Sequence, residues 1–68
     1  MDGKISLRAA RIDRDISQDD VAKEIGVTTR TISKWETGKT YPNGIQLIRL
    51  CELYGRSLDD IRLCKNDE

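Results

Sequence analysis

Apolar residues stand singly or in pairs along this chain and never in longer runs; Leu47-Ile48 is as long as any. Their spacing is helical. Val21 and Ile25 lie four apart, and Ile32 and Trp35 three apart, as one face of a 3.6-residue period requires. No stretch alternates apolar with polar residues long enough to predict a strand. Helix-start and helix-stop residues separate the apolar clusters. Ser17 with Asp20 has the spacing of a capping box, Ile16 and Val21 form its hydrophobic staple, and Gly26 supplies a left-handed residue to end the helix. Thr28 repeats the cap, with Val27 and Ile32 as staple and Gly38 as stop. Asn43 with Gln46, just after Pro42, opens a helix that Gly55 closes, and Ser57 with Asp60 opens a last short one. A first helix, less sharply marked, covers about residues 5–14. The pattern predicts an all-α fold: a compact five-helix bundle in one domain over residues 1–68.

The candidate core is Leu7, Ala10, Ile16, Val21, Ala22, Ile25, Val27, Ile32, Trp35, Leu47, Ile48, Leu50, Cys51, Tyr54, Leu58 and Ile61. This suffices for a small bundle near the lower size limit of a stable core and leaves no room for an enclosed catalytic pocket. Trp35 falls on an inward position, so it is read as packing rather than as a base-stacking aromatic.

Two consecutive predicted helices, Gln18–Ile25 and Thr29–Thr37, are joined by Gly26-Val27-Thr28 alone. So short a glycine-containing link forces a sharp turn of roughly 90–120° between them. Ala22 is small where the second helix must approach the first. The outward face of the second helix is then Thr29, Arg30, Ser33, Lys34 and Thr37, with two cations, hydroxyls and no acid.

Charge changes this picture only locally. The chain carries 12 Lys+Arg and 12 Asp+Glu, net zero, which by itself argues against nucleic acid. Residues 28–49 nevertheless sum to +3, and residues 17–27 and 50–68 to −2 each. The 35% charged and 37% hydrophobic composition suits neither a disordered tail nor a membrane span of roughly 20 apolar residues. No signal peptide opens the chain, and the expectation is a soluble cytoplasmic protein. There is no His, which removes His-based acid–base and nucleophile chemistry and most zinc sites. Cys51 and Cys64 lie 13 apart, outside any CxxC spacing, and are expected as free thiols. Gly38-Lys39-Thr40 mimics the end of a phosphate-binding loop, but Ser33 stands where its first Gly belongs. The pairs Asp19-Asp20 and Asp59-Asp60 fall in first turns, where acids stabilise the helix dipole. No enzyme activity, cofactor, metal or small-molecule ligand is expected.

The run SQDDVAKEIGVTTRTISKWETGKTYPN resembles the helix-turn-helix of the phage Cro and CI-type repressors, the Xre-like family. The matched positions are Gln18, Val21, Ala22, Ile25, Gly26, Val27, Ile32, Trp35, Glu36, Gly38, Lys39 and Pro42. The likeness extends to the helix over 43–54 and to Ser57-Leu58-Asp59-Asp60-Ile61, covering about residues 5–63 with the motif at about 17–37. Asp15 departs from a frequent Gly but tolerates the left-handed conformation. Gly44 departs from a helix-favouring residue and weakens its helix by about 1 kcal/mol relative to Ala.

The resemblance implies a lambda-repressor-like DNA-binding domain whose second motif helix enters the major groove. It implies a sequence-specific transcriptional regulator of repressor type that occupies an operator in double-stranded DNA. Such a protein would be bacterial or phage-encoded, nucleoid-associated, and a homodimer at least on DNA. Thr29, Arg30 and Lys34 become the expected base readers; Arg30 can span O6 and N7 of guanine. Gln18, Thr28, Thr31, Thr37, Lys39 and Thr40 become expected phosphate contacts. An Arg11–Glu36 ion pair tying the first helix to the third is also implied, as are dimer contacts near Leu58, Ile61, Arg62, Leu63 and Cys64. The alternatives are an antitoxin-type autoregulator and a protein-interaction module on the same fold.

Overall fold

The computed structural model describes residues 4–63. In chain order the elements are strand β1 (Ile5–Ser6), helices α1 (Leu7–Asp13), α2 (Gln18–Ile25), α3 (Thr29–Thr37) and α4 (Gly44–Tyr54), a single 3-10 turn (Leu58–Asp60), and strand β2 (Ile61–Arg62). Every α-helix begins with a side-chain oxygen accepting a backbone N–H three residues on. Ser6 Oγ accepts from Ala9 at 3.1 Å, Ser17 Oγ from Asp20 at 3.1 Å, Thr28 Oγ1 from Thr31 at 3.2 Å and Asn43 Oδ1 from Gln46 at 2.8 Å. Gln46 Oε1 returns the bond to the Asn43 N–H at 2.9 Å, completing the box. Each such cap contributes on the order of 1 kcal/mol.

Gly26 ends α2 at φ +89°, in the left-handed region where a Cβ is disfavoured, so the chain turns into α3 after only two more residues. Asp15 adopts φ +59°, the only positive φ at a non-glycine among the described residues, as its ability to replace Gly after the first helix leads one to expect.

The core draws on every helix: Leu7 and Ala10 of α1, Val21, Ala22 and Ile25 of α2, Ile32 and Trp35 of α3, Leu50, Cys51 and Tyr54 of α4, and Ile61 of β2. Ile16, Val27 and Leu47 pack against it half-buried. Two expected core residues are not there: Ile48 is 47% exposed and Leu58 49%. The inward stripe of α4 is Leu47, Leu50, Cys51 and Tyr54, at i, i+3, i+4 and i+7. Ile48 sits one residue, and so about 100°, around the helix from that stripe's start. Burial around Cys51 pushes its thiol pKa up, with the Asp60 charge adding, and the thiol is free. Cys64 lies outside the described residues.

The five-helix expectation is corrected to four. After Ser57 the chain makes only one i→i+3 turn, held by the Asp60 N–H on the Ser57 carbonyl at 3.0 Å. Ile61 then turns inward and its backbone, at φ −98° and ψ 131°, is extended. It pairs in parallel with β1, Ile5 opposite Ile61 and Ser6 opposite Arg62, so a short two-stranded ribbon was missed. The same pairing keeps Ile5 and Ser6 out of α1. Ser6 is the cap that the sequence reading placed inside the helix. Ile61, 7% exposed, is also unavailable as a dimer contact, while Leu58 remains on the surface.

These burials fix an expected order of stabilities. Leu50→Ala, at 1% exposure, is expected to lose about 2–5 kcal/mol in urea unfolding. Ile45→Ala, at 72% exposure, should stay within about 0.5 kcal/mol of wild type. Gly44→Ala, where an added Cβ meets nothing within 4 Å, should gain about 0.5–1 kcal/mol.

Candidate nucleic-acid interface

α2 and α3 pack against each other more extensively than any other two elements. Val21, Ala22 and Ile25 of α2 and Ile32 and Trp35 of α3 are buried in the same core cluster, and Ala22 is small where the helices approach. With those residues inside, α3 presents Arg30, exposed, and Lys34, half-buried, four residues apart on one face. Thr29 and Ser33 are half-buried beside them and Thr37 is exposed. Lys39 and Thr40 follow α3 on the surface, their N–H groups donating to the Lys34 carbonyl at 2.9 and 3.4 Å.

Glu36, on the opposite side of α3, is buried at 8% exposure and does not share that face. Arg11 of α1 donates to it through Nε at 2.7 Å and Nη2 at 3.3 Å, and through Nη1 to the Ile16 carbonyl at 2.9 Å. The implied ion pair is therefore present. The hydrogen bond to Glu36 raises the Arg11 pKa further, against desolvation by burial, so the guanidinium stays charged. Burial also pushes the Tyr54 phenol well up, with Glu36 adding and Arg11 opposing.

Sequence reasoning missed the internal partners of the polar residues. Gln18 Nε2 donates to Glu36 Oε1 at 3.0 Å, which uses one of its two amide protons and leaves the other. Thr29 Oγ1 donates to Asp19 Oδ1 at 2.6 Å, joining the first turns of α2 and α3. Thr37 Oγ1 donates back to the carbonyls of Ser33 at 3.0 Å and Lys34 at 3.3 Å. The hydroxyls of Thr28 and Thr31 share a hydrogen bond at 3.0 Å. A hydroxyl has one proton, so Thr29 and Thr37 have already placed theirs inside the fold. Arg49, counted among the cations of the basic segment, donates to the Glu24 carbonyl at 2.9 Å. That anchors it at the far end of α2 from Gln18. Among the described residues no group of three or more His, Cys, Asp or Glu is placed to hold a metal ion. No helix among them is long and apolar enough to cross a membrane.

The family model described as Helix-turn-helix matches residues 7–61 of this chain. The chain belongs to the Xre/Cro-like helix-turn-helix family. Three curated relatives are each 31% identical to it. An uncharacterized HTH-type transcriptional regulator of Methanocaldococcus jannaschii aligns over 65 residues, 96% of this chain and 98% of its own length. The HTH-type transcriptional activator BcrR of Enterococcus faecalis and multiprotein-bridging factor 1c of Arabidopsis thaliana each align over 55 residues, 81% of this chain. The chain spans only 27% and 37% of the length of those two. Membership of the helix-turn-helix family implies binding to double-stranded DNA.

The buried hub makes a sharp prediction. Glu36→Ala leaves Arg11, 12% exposed at its side chain, without its carboxylate, and is expected to destabilise the fold by about 3 kcal/mol in denaturant titration. Loss of less than about 1 kcal/mol would show that the pair is not what holds α1 to α3.

Proposed function

We propose that this protein is a sequence-specific DNA-binding transcriptional regulator that acts as a repressor, occupying an operator and excluding polymerase. The observation that carries the reading is the face of α3. Arg30 and Lys34 stand one helical turn apart, with no acid of α3 itself on that face, on a helix packed against α2 and capped at both ends. Thr29, Arg30 and Lys34 are proposed to face base edges in the major groove. Arg30 suits guanine O6 and N7, and Lys34 reaches the same acceptors. The remaining amide proton of Gln18, at the positive end of α2, suits a backbone phosphate. Lys39 and Thr40, just beyond α3, together with Thr28 and Thr31 at its start, would position the protein on the backbone. Thr37 would contribute only after releasing its proton from the carbonyls of its own helix.

Family relatives carry the names of regulators, one of them an activator. The sign of regulation follows from where the operator lies relative to the promoter, and direct occlusion is the mechanism that occupying an operator supplies. On DNA the protein is proposed to act as a two-fold dimer on half-sites about one helical turn apart. Exposed Leu58 and Arg62 are the described residues suited to that contact. A second reading, a protein-interaction module, is favoured by Ile45 and Ile48, which α4 leaves exposed.

Selection from random duplex DNA at about physiological salt separates the two. Enrichment of a two-fold-symmetric site is the expected result; weak, salt-sensitive binding with no enriched sequence would sink the regulator reading and favour the module. On the enriched site Arg30→Ala should lose about 1–3 kcal/mol and relax specificity at one position. Lys39→Ala should weaken all sequences alike and reduce the slope of log K against log salt by about 1 per subunit.

A further inference from the structure

The bond between Asp19 and Thr29 is not explained by the packing of α2 on α3. Both side chains lie at the surface end of the motif, Asp19 exposed and Thr29 half-buried, and the donor–acceptor distance of 2.6 Å is short. Asp19 lies in the first turn of α2, and the residue it engages is the first helical residue of α3. A carboxylate there is electrostatically favoured, since it faces the positive ends of two helices at once.

Its effect on Thr29 is one of polarity. A free threonine hydroxyl rotates to donate or accept as its partner requires. Held by an ionised carboxylate, which only accepts, the Thr29 proton has one direction, and what remains for any further partner is the oxygen's lone pairs and the γ-methyl. Charge-assisted bonds of this kind are roughly twice as strong as neutral ones, so a base edge does not readily turn the hydroxyl around. In the major groove, cytosine N4 and adenine N6 are donors, whereas guanine offers only N7 and O6 acceptors.

We propose that Asp19 is a positioning residue for sequence readout: by fixing the Thr29 hydroxyl as an acceptor, it makes the protein prefer a base that presents an amino donor in the major groove, cytosine or adenine, opposite Thr29 and reject guanine there. This rests on the DNA-binding reading above and adds a determinant from outside the recognition helix. The Asp19 carboxylate also repels the DNA backbone at any sequence, so affinity alone does not separate the two effects. Base preference does.

The test uses the full chain and the selected duplex, with all four bases placed in turn at each half-site position, and affinities measured at fixed salt for wild type and three variants. Wild type is expected to favour cytosine or adenine over guanine by about 10-fold at one position. Asp19→Ala, which frees the hydroxyl to donate, should reduce that ratio to within about 2-fold there and leave the other positions unchanged. Asp19→Asn keeps an amide oxygen to accept the Thr29 proton, so it should retain the preference while binding every sequence more tightly. Thr29→Val removes the oxygen and should lose the preference without touching Asp19, which covers the case in which Asp19→Ala does not fold.

The proposal is overturned if Asp19→Ala strengthens binding to all four bases equally with their ratio intact, since Asp19 then acts by charge alone. It is equally overturned if Asp19→Asn loses the preference as fully as Asp19→Ala, or if Thr29→Val keeps it. A wild type that selects a site with no amino-base preference at any position refutes this inference and leaves the DNA-binding reading standing. A wild type that selects no site refutes both.

Discussion

A carboxylate buried in the last turn of a short helix is tolerated only if its charge is fully partnered, because an unpaired ion in that environment costs several kcal/mol. Glu36 is such a group, and the arrangement of the first three helices follows from how it is satisfied. One planar guanidinium, with donors in a fixed fork, serves both carboxylate oxygens and the Ile16 carbonyl together. The α1–α2 link is thereby drawn to the base of α3. Gln18 then reaches the same carboxylate from the first turn of α2. Lysine has a single nitrogen and would not span these acceptors. Glu36 thus ties α1 to α3 through Arg11 and α2 to α3 through Gln18, which fixes where the side chains of α3 stand relative to Gln18. Burying the charge on the inner side also keeps the outer face of α3 free of acid.

The outer face divides its polar groups by what their protons are doing. Phosphate oxygens accept and do not donate, so only a group with a proton to give can bind one. Thr29 and Thr37 have directed theirs to Asp19 and to the backbone of α3. Thr28 is engaged as a helix cap. These hydroxyls build the ends of the helix. The outward donors that remain are chiefly the cations Arg30, Lys34 and Lys39 and the second amide proton of Gln18, with the Thr40 hydroxyl and the one proton that the Thr28–Thr31 pair leaves over. A threonine-rich recognition helix would be counted as a surface of many weak donors, but the folded protein presents a few strong ones on an ordered support.

This distinction was not legible in the sequence, and the reason is distance along the chain. Helix starts and stops are local signals: Ser17, Thr28 and Asn43 each bond an N–H three residues away, and Gly26, Gly38 and Gly55 each take the left-handed conformation at a helix end. Those elements could be read residue by residue. The bonds from Gln18 to Glu36 and from Thr29 to Asp19 join residues 18 and 10 positions apart, and nothing in the spacing announces them. The resemblance to a known family supplied Arg11–Glu36 and the positions of the site residues, but not which protons were already engaged. Ile48 was misplaced for a related reason. Helical periodicity says that α4 has an apolar side, but the packing of α2 and of the 3-10 turn decides which 100° of it is covered. The two-residue ribbon of Ile5 with Ile61 is too short for any alternation to show and exists because the fold brings residues 5–6 beside 61–62.

A net charge of zero also takes on a different meaning once the cations are located. Of the four in the basic segment, Arg49 is tied to the Glu24 carbonyl at the C-terminal end of α2. That is roughly 10 Å along the helix axis from the N-terminal end that carries Gln18. Three cations, Arg30, Lys34 and Lys39, are left on or next to the proposed DNA face. Non-specific affinity grows with the number of phosphates neutralised, at a slope of about −0.9 per contact in log K against log salt. If Arg30 and Lys34 are committed to base edges, Lys39 is the principal charge left for the backbone of each half-site, beside Gln18 and the dipole of α2. Binding to arbitrary sequence is then weak, and little affinity survives where the base edges do not match. On the proposed reading, the neutral balance of this chain would raise the ratio of specific to non-specific binding, the quantity that matters when competing sites are abundant.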